Sequence, residues 1–158
     1  MPAAMHSFYL RNMYQENNLA RPGGITLDGT PIDLRKITTP TFILGTQEDH
    51  IAPWKSAYRA TQLYGGSVEF VLSASGHMAG VISAPGSKYG HWTNSSNPAT
   101  GDEWYKTATE RRSSWWPHWN EWVTTFSGGQ VAARTPGREG LSVIEDAPGS
   151  YVRVRSDA

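Results

Sequence analysis

The sequence predicts an α/β fold, a partial parallel sheet with flanking helices. Three observations carry this. Thr41-Phe42-Ile43-Leu44 and Val68-Glu69-Phe70-Val71-Leu72 are short apolar runs of the kind that form buried strands. Between them, Pro53 suits the first turn of a helix. Ala57, Ala60, Leu63 and Tyr64 mark its buried stripe, and Gly65-Gly66 stops it. Strand, helix and strand in succession make a βαβ unit, whose two strands run parallel. Residues 102–126 then return to helical patterning, with Trp115, Trp119, Trp122 and Phe126 on one face.

Taken in order, the chain opens with Met5, Phe8, Tyr9 and Met13 at helical spacing, which reads as an amphipathic core helix. Ile25-Thr26-Leu27-Asp28-Gly29-Thr30-Pro31-Ile32 reads as a hairpin, because Asp-Gly favours the turns that close two-residue loops. Asp33 can cap a single helical turn through Lys36. Residues 83–101 are rich in Gly, Pro, Ser and Asn and read as a long loop. Pro117 starts a new helix rather than sitting inside one. Residues 1–126 therefore form the domain proper. Residues 127–158 carry few apolar groups and read as a tail, with Tyr151-Val152-Arg153-Val154 the candidate for a short strand.

Composition narrows the function classes. A chain of 158 residues is long enough for one domain with a core. Hydrophobic content of 38% is low, but seven Trp and seven Tyr argue against disorder. The formal net charge is zero and no basic stripe exists, so nucleic acid is not an expected partner. No apolar run is as long as a transmembrane segment, and the first residues lack the pattern of a signal peptide. The absence of Cys excludes a disulfide framework and is compatible with the cytoplasm.

The chemistry centres on two words. Asp49 follows the first strand in Gly45-Thr46-Gln47-Glu48-Asp49-His50, and His77 follows the second in Ala74-Ser75-Gly76-His77-Met78-Ala79-Gly80. Both are expected just beyond the carboxyl ends of neighbouring parallel strands, where open α/β sheets place their sites. A neutral imidazole can deprotonate a thiol or hydroxyl, and a carboxylate then stabilises the imidazolium and fixes its tautomer. Nucleophile, acid, His is the chain order of α/β-hydrolase triads. No G-x-S-x-G or G-x-C-x-G elbow precedes Asp49, so the nucleophile is expected upstream of Met1. A structural alternative stands beside this reading, in which Asp49 caps the following helix and His77 is a hydrogen-bonded core histidine.

Other residues speak less clearly. His50 adjoins the acid and is expected to support it rather than to react. His6, His91 and His118 lack paired metal-ligand spacing, and without Cys a zinc site is not expected. Ser73 and Ser75 lie near His77 but not on a strand–turn–helix elbow. The Trp cluster reads as helix-packing core, with a polymer or lipid surface as the alternative.

Several longer motifs point to one family. Phe8-Tyr9-Leu10-Arg11-Asn12-Met13-Tyr14, Glu48-Asp49-His50-Ile51-Ala52-Pro53-Trp54, Ser75-Gly76-His77-Met78-Ala79-Gly80-Val81-Ile82, His91-Trp92-Thr93-Asn94, Ser114-Trp115-Trp116-Pro117 with Trp119, and Ala147-Pro148-Gly149-Ser150-Tyr151-Val152 resemble the C-terminal part of poly(3-hydroxyalkanoate) synthases. The likeness covers nearly the whole chain and is strongest to class I enzymes, which favour short-chain monomers.

The resemblance implies the C-terminal half of an α/β-hydrolase-type fold and an acyltransferase that polymerises (R)-3-hydroxyacyl-CoA with release of coenzyme A. Carried over by position, Asp49 is the catalytic Asp, His77 the catalytic His, and His50 a histidine beside the acid. The family's Cys box and N-terminal domain have no counterpart here, so the chain alone is expected to be inactive. Met1 is then an internal methionine of a longer reading frame or the start of a truncated gene. Where the family often has Asn-Pro-Pro, this chain has Ser83-Ala84-Pro85.

Also implied are the growing polyester and the polymer granule surface as partners, a homo-oligomer at full length, and no cofactor beyond the coenzyme A of the substrate. The competing functions are an esterase or polyester depolymerase of the same fold and a non-catalytic granule-binding module.

Overall fold

A computed structural model of the chain describes residues 1–137 and 140–156. They fall into two units, Met1–Phe126 and Ser127–Ala158. In the first, helix α1 (Ala3–Tyr9) passes directly into a π-helical segment, Leu10–Gln15. The opening pattern does make a helix, but not a core helix. None of its residues is buried, and Met5, Phe8 and Tyr9 are exposed. An apolar stripe states which face would pack and not whether a partner lies within reach.

The hairpin forms as expected from β1 (Thr26–Leu27) and β2 (Thr30–Pro31). Asp28 (φ 46°) and Gly29 (φ 73°) both take the left-handed conformation that a tight two-residue loop demands. Asp33 accepts the Arg35 N–H at 3.0 Å and caps the 3-10 turn Leu34–Lys36.

Strand β3 (Thr41–Thr46) runs parallel to β4 (Val68–Ser73), in register from Thr41 opposite Val68 to Thr46 opposite Ser73. Helix α2 (Trp54–Tyr58) lies in the crossover and continues as the 3-10 turn Arg59–Gln62. The sheet does not remain parallel. Strand β5 (His91–Thr93) joins β4 antiparallel, and β6 (Thr109–Arg111) joins β5 antiparallel, giving the order β3-β4-β5-β6. The fold is thus mixed α/β with a mixed four-stranded sheet. Residues 83–101 contain a strand as well as loop. The helical region beyond them is α3 (Gly101–Thr107) and α4 (Trp116–Thr124), with β6 between. Strands of three residues show no periodicity, and their backbone is extended because β4 supplies a ladder to β5 and β5 in turn to β6.

Each face of the sheet is covered differently. On one, Tyr58, Phe70, Leu72 and Trp104 form the buried cluster, and Ile43, Trp54, Trp92 and Ala108 pack against it. The Phe70 ring meets Trp104 at 4.9 Å and Tyr58 at 5.0 Å, both edge to face. Burying Phe70 and Leu72 contributes about 1.5–3 kcal/mol each over leaving them exposed. A Cβ on Gly45 would stand 3.0 Å from Trp54 Cβ and 3.2 Å from the Phe70 ring, so Gly lets α2 lie close on β3.

On the other face, Phe42 meets Trp115 at 6.1 Å and Trp122 at 5.4 Å. The Trp cluster is therefore core only in part, since Trp116 and Trp119 remain 37% and 42% exposed.

In the second unit, Glu145 accepts the Ser150 N–H at 2.9 Å and hydroxyl at 3.0 Å. The strand expected at residues 151–154 is instead a 3-10 turn, Tyr151–Arg153. The N–H groups of Arg153 and Val154 bond back to Ser150 and Tyr151 at 3.0 Å each, where a strand would need a neighbouring ladder.

Candidate catalytic site

The parallel pairing continues past the ends of both strands and brings two loops together. The Gln47 N–H donates to Ser73 O and the Glu48 N–H to Ser75 O, each at 2.9 Å. Asp49 follows in a tight turn closed by its own N–H on Thr46 O at 3.2 Å. Its carboxylate is then fully engaged. Oδ1 accepts the N–H groups of Ile51 (2.8 Å) and Ala52 (2.9 Å), and Oδ2 accepts the Thr46 hydroxyl at 3.1 Å. The second partner of Oδ2 is Nδ1 of His77, at 2.8 Å.

These donors favour the charged form. The Ala52 N–H above all, then His77, and also Ile51 and Thr46, hold the Asp49 carboxyl well below the usual carboxylate range, against an opposing effect of burial. Asp49 ties down the turn ahead of α2 without capping that helix, whose N-cap Pro53 has no side-chain cap, and His77 is half exposed rather than in the core, so the structural alternative does not form.

His77 sits in a short turn after β4. Ser75 takes a left-handed φ of 72°, a conformation that costs a non-Gly residue about 1–3 kcal/mol and that clusters at functional sites. The bend after β4 is thus made by Ser75 and not by Gly76, which has no positive φ. The Gly80 N–H closes the turn on Gly76 O at 2.9 Å. Gly80 itself presses on the acid's loop, since a Cβ there would stand 2.6 Å from Thr46 Cγ2 and 2.7 Å from Ala74 O.

The pair is asymmetric in access. The Asp49 side chain is 7% exposed and that of His77 46%. A carboxylate at Nδ1 assigns the proton there, so Nε2 holds the lone pair. Among the described residues Nε2 has no hydrogen-bond partner. Such an arrangement can take a proton from a nucleophile and return it to a leaving group, with Asp49 stabilising the imidazolium between.

His50 is exposed beside Asp49 and makes no hydrogen bond among the described residues. His91 lies on β5 and is 1% exposed, with Nδ1 donating to Ser113 O at 2.7 Å. Burial pushes its imidazole below the ordinary histidine value. Among the described residues no group of three His, Cys, Asp or Glu is placed to hold a metal ion. No described helix is long and apolar enough to cross a membrane. The chain contributes no thiol, having no Cys.

Thr46, Ser73 and Gly80 belong to the site's support and escape sequence reading. Thr46 alone left a trace, as a hydroxyl residue three positions before an acid, a common local hydrogen-bonding pattern.

No protein-family model matches the chain. Curated relatives do. The chain is 48% identical over 159 residues to the poly(3-hydroxyalkanoate) polymerase subunit PhaC of Rhizobium etli, a match covering 99% of this chain and 24% of that protein. It is 44% identical to a poly(3-hydroxyalkanoate) polymerase of Methylorubrum extorquens, over 99% of this chain and 26% of the relative. With the PhaC subunit of Cupriavidus necator the identity is 42%, over 99% and 27%. The chain thus spans about a quarter of the length of the curated relatives it matches.

Proposed function

We propose that this chain, which belongs to the poly(3-hydroxyalkanoate) polymerase family, supplies the acid and base of a polyester synthase. The carrying observation is the 2.8 Å contact between Asp49 and His77 beyond the carboxyl ends of two parallel strands. In this reading the chain is part of an α/β-hydrolase-type fold, and the nucleophile is a thiol from sequence outside these residues. Nε2 of His77 takes the thiol proton, and the thiolate attacks the thioester carbonyl of an (R)-3-hydroxyacyl-CoA. The tetrahedral intermediate collapses by breaking the bond to the coenzyme A sulfur, which leaves with the proton from His77.

His77 then deprotonates a 3-hydroxyl, whose oxygen attacks the enzyme-bound acyl thioester. The new ester lengthens the chain and frees the thiol. A thiolate suits the first step because exchange between two sulfur esters is nearly balanced. Asp49 orients the ring and stabilises its charged form; His50 flanks the acid. No cofactor is needed beyond the coenzyme A on the substrate. The setting that goes with this chemistry is the cytoplasmic surface of a polymer granule, with the full-length protein a homo-oligomer.

The test replaces the matching quarter of the Cupriavidus necator polymerase with this chain. With (R)-3-hydroxybutyryl-CoA the chimera should release free thiol and form polymer, whereas the chain alone should do neither. Release of 3-hydroxybutyrate without polymer would favour the esterase or depolymerase reading.

One observation favours a second reading, in which the chain binds polymer without catalysis. A cavity of about 630 Å³ is lined by Pro85, Trp115, Trp116, Pro117, Trp119 and Asn120. Co-sedimentation of the chain with polyester granules, lost in Trp116→Ala and Trp119→Ala, combined with an inactive chimera, would select it.

A further inference from the structure

The turn that carries His77 has little burial of its own. Met78 and Ile82 are 70% and 67% exposed, so packing does not hold it. It is held by hydrogen bonds, several of them from a distant part of the chain. The Gly80 carbonyl accepts the Ser73 hydroxyl at 2.8 Å and the Trp115 indole N–H at 3.1 Å. One residue along, the Trp116 indole N–H donates to Val81 O at 3.1 Å. The Ser114 hydroxyl, itself buried, donates to Ser83 O and accepts the Trp116 N–H at 3.0 Å. Three consecutive residues at the start of α4 thus engage three carbonyls that follow His77.

We propose that Trp115 is a positioning residue for His77, acting through the Gly80 carbonyl. The lever is short. Gly80 O is fixed by Trp115 and Ser73, Gly80 N–H closes on Gly76 O, and His77 lies between Gly76 and Gly80. The same Gly80 packs on Thr46, whose hydroxyl bonds Asp49 Oδ2. Displacing Gly80 therefore moves base and acid relative to each other. The indole is aimed by the sheet, because its ring packs on Phe42 of β3. The catalytic meaning of this role rests on His77 being the base; its geometric part does not.

The experiment follows the His77 Nδ1 proton by NMR in the isotope-labelled chain. Trp115→Phe removes the N–H and keeps a ring on Phe42. Loss of one net hydrogen bond should speed exchange of that proton with water about fivefold. The His118 imidazole signals and the amide protection of Phe70 and Leu72 should not change. Should Trp115→Phe unfold the chain, the benzothienyl analogue of Trp at position 115, which puts sulfur in place of the N–H at equal volume, gives the same readout. Unchanged His77 exchange in a folded variant overturns the proposal. So does a change shared equally by His118, which marks general loosening. In the chimera, Trp115→Phe should lower kcat about fivefold at unchanged KM; a KM effect alone also overturns it. The base reading fails separately, through a His77→Ala chimera that still turns over.

Discussion

Among the described residues two histidine–carboxylate pairs share the same separation, and they differ in everything else. His77 Nδ1 stands 2.8 Å from Asp49 Oδ2, and His118 Nε2 stands 2.8 Å from Glu69 Oε1. Asp49 lies beyond the end of its strand, 7% exposed, and accepts three further donors. Glu69 lies within β4, 30% exposed, and accepts from His118 alone among the described residues. His77 leaves its other nitrogen unpartnered on a ring that is 46% exposed, whereas the His118 ring is 24% exposed and packs on Phe42 and His91. The distance between a ring and a carboxylate does not tell the two pairs apart. The anchored carboxylate and the accessible second nitrogen are what suit Asp49–His77, and not Glu69–His118, to the proposed role. A partly exposed pair like His118–Glu69 is worth about 0–1 kcal/mol and ties α4 to the sheet.

The comparison breaks most sharply at the histidines. In the chimera, His77→Ala should lower turnover by on the order of 10⁶-fold, the scale set by removing a triad base. His118→Ala should cost about 1 kcal/mol of stability and leave thiol release within about twofold. Comparable losses in both would erase the distinction. Next come the carboxylates. Asp49→Asn should cost on the order of 10⁴-fold, because an amide neither stabilises the imidazolium nor enforces the tautomer. Glu69→Gln should be nearly silent in the same assay.

Smaller effects sharpen it. Thr46→Val keeps the shape and removes one donor to Asp49. Stability should fall by about 1 kcal/mol in urea unfolding, and turnover by about two- to tenfold. The pH dependence of stability separates His91 from Asp49. Above about pH 6.5 His91 is neutral folded or unfolded and stability is at its full value. Below that the unfolded chain takes up a proton that burial denies the folded chain, so stability falls as pH falls. His91→Leu should remove this slope between about pH 6.5 and 5. Asp49, with its lowered pKa, contributes stability that is complete above about pH 4 and lost as pH falls further. Asp49→Asn should flatten only that acid limb.

What the sequence determined by itself was local. Two apolar runs, a proline-initiated helix and a Gly-Gly stop specify the β3–α2–β4 unit, because the 3.6- and 2-residue periodicities and the turn residues all lie within it. Asp28-Gly29 specifies the hairpin through the φ values that those two residues tolerate. Parallel pairing then carries Asp49 and His77 to one edge, so their proximity was legible too.

Tertiary structure decided the rest. The short strands β5 and β6 exist because β4 offers a ladder to β5 and β5 one to β6, while Tyr151–Arg153 curls into a 3-10 turn whose bonds are local. Helix α1 kept its pattern and lost its expected burial, since no pattern supplies the opposing surface. The bend at Ser75 and the bond from Trp115 to Gly80 O join residues by direction and not by spacing. Hydrogen bonds are short-ranged and directional, so only the folded positions of β3, β4 and α4 could aim an indole N–H at the turn that holds His77.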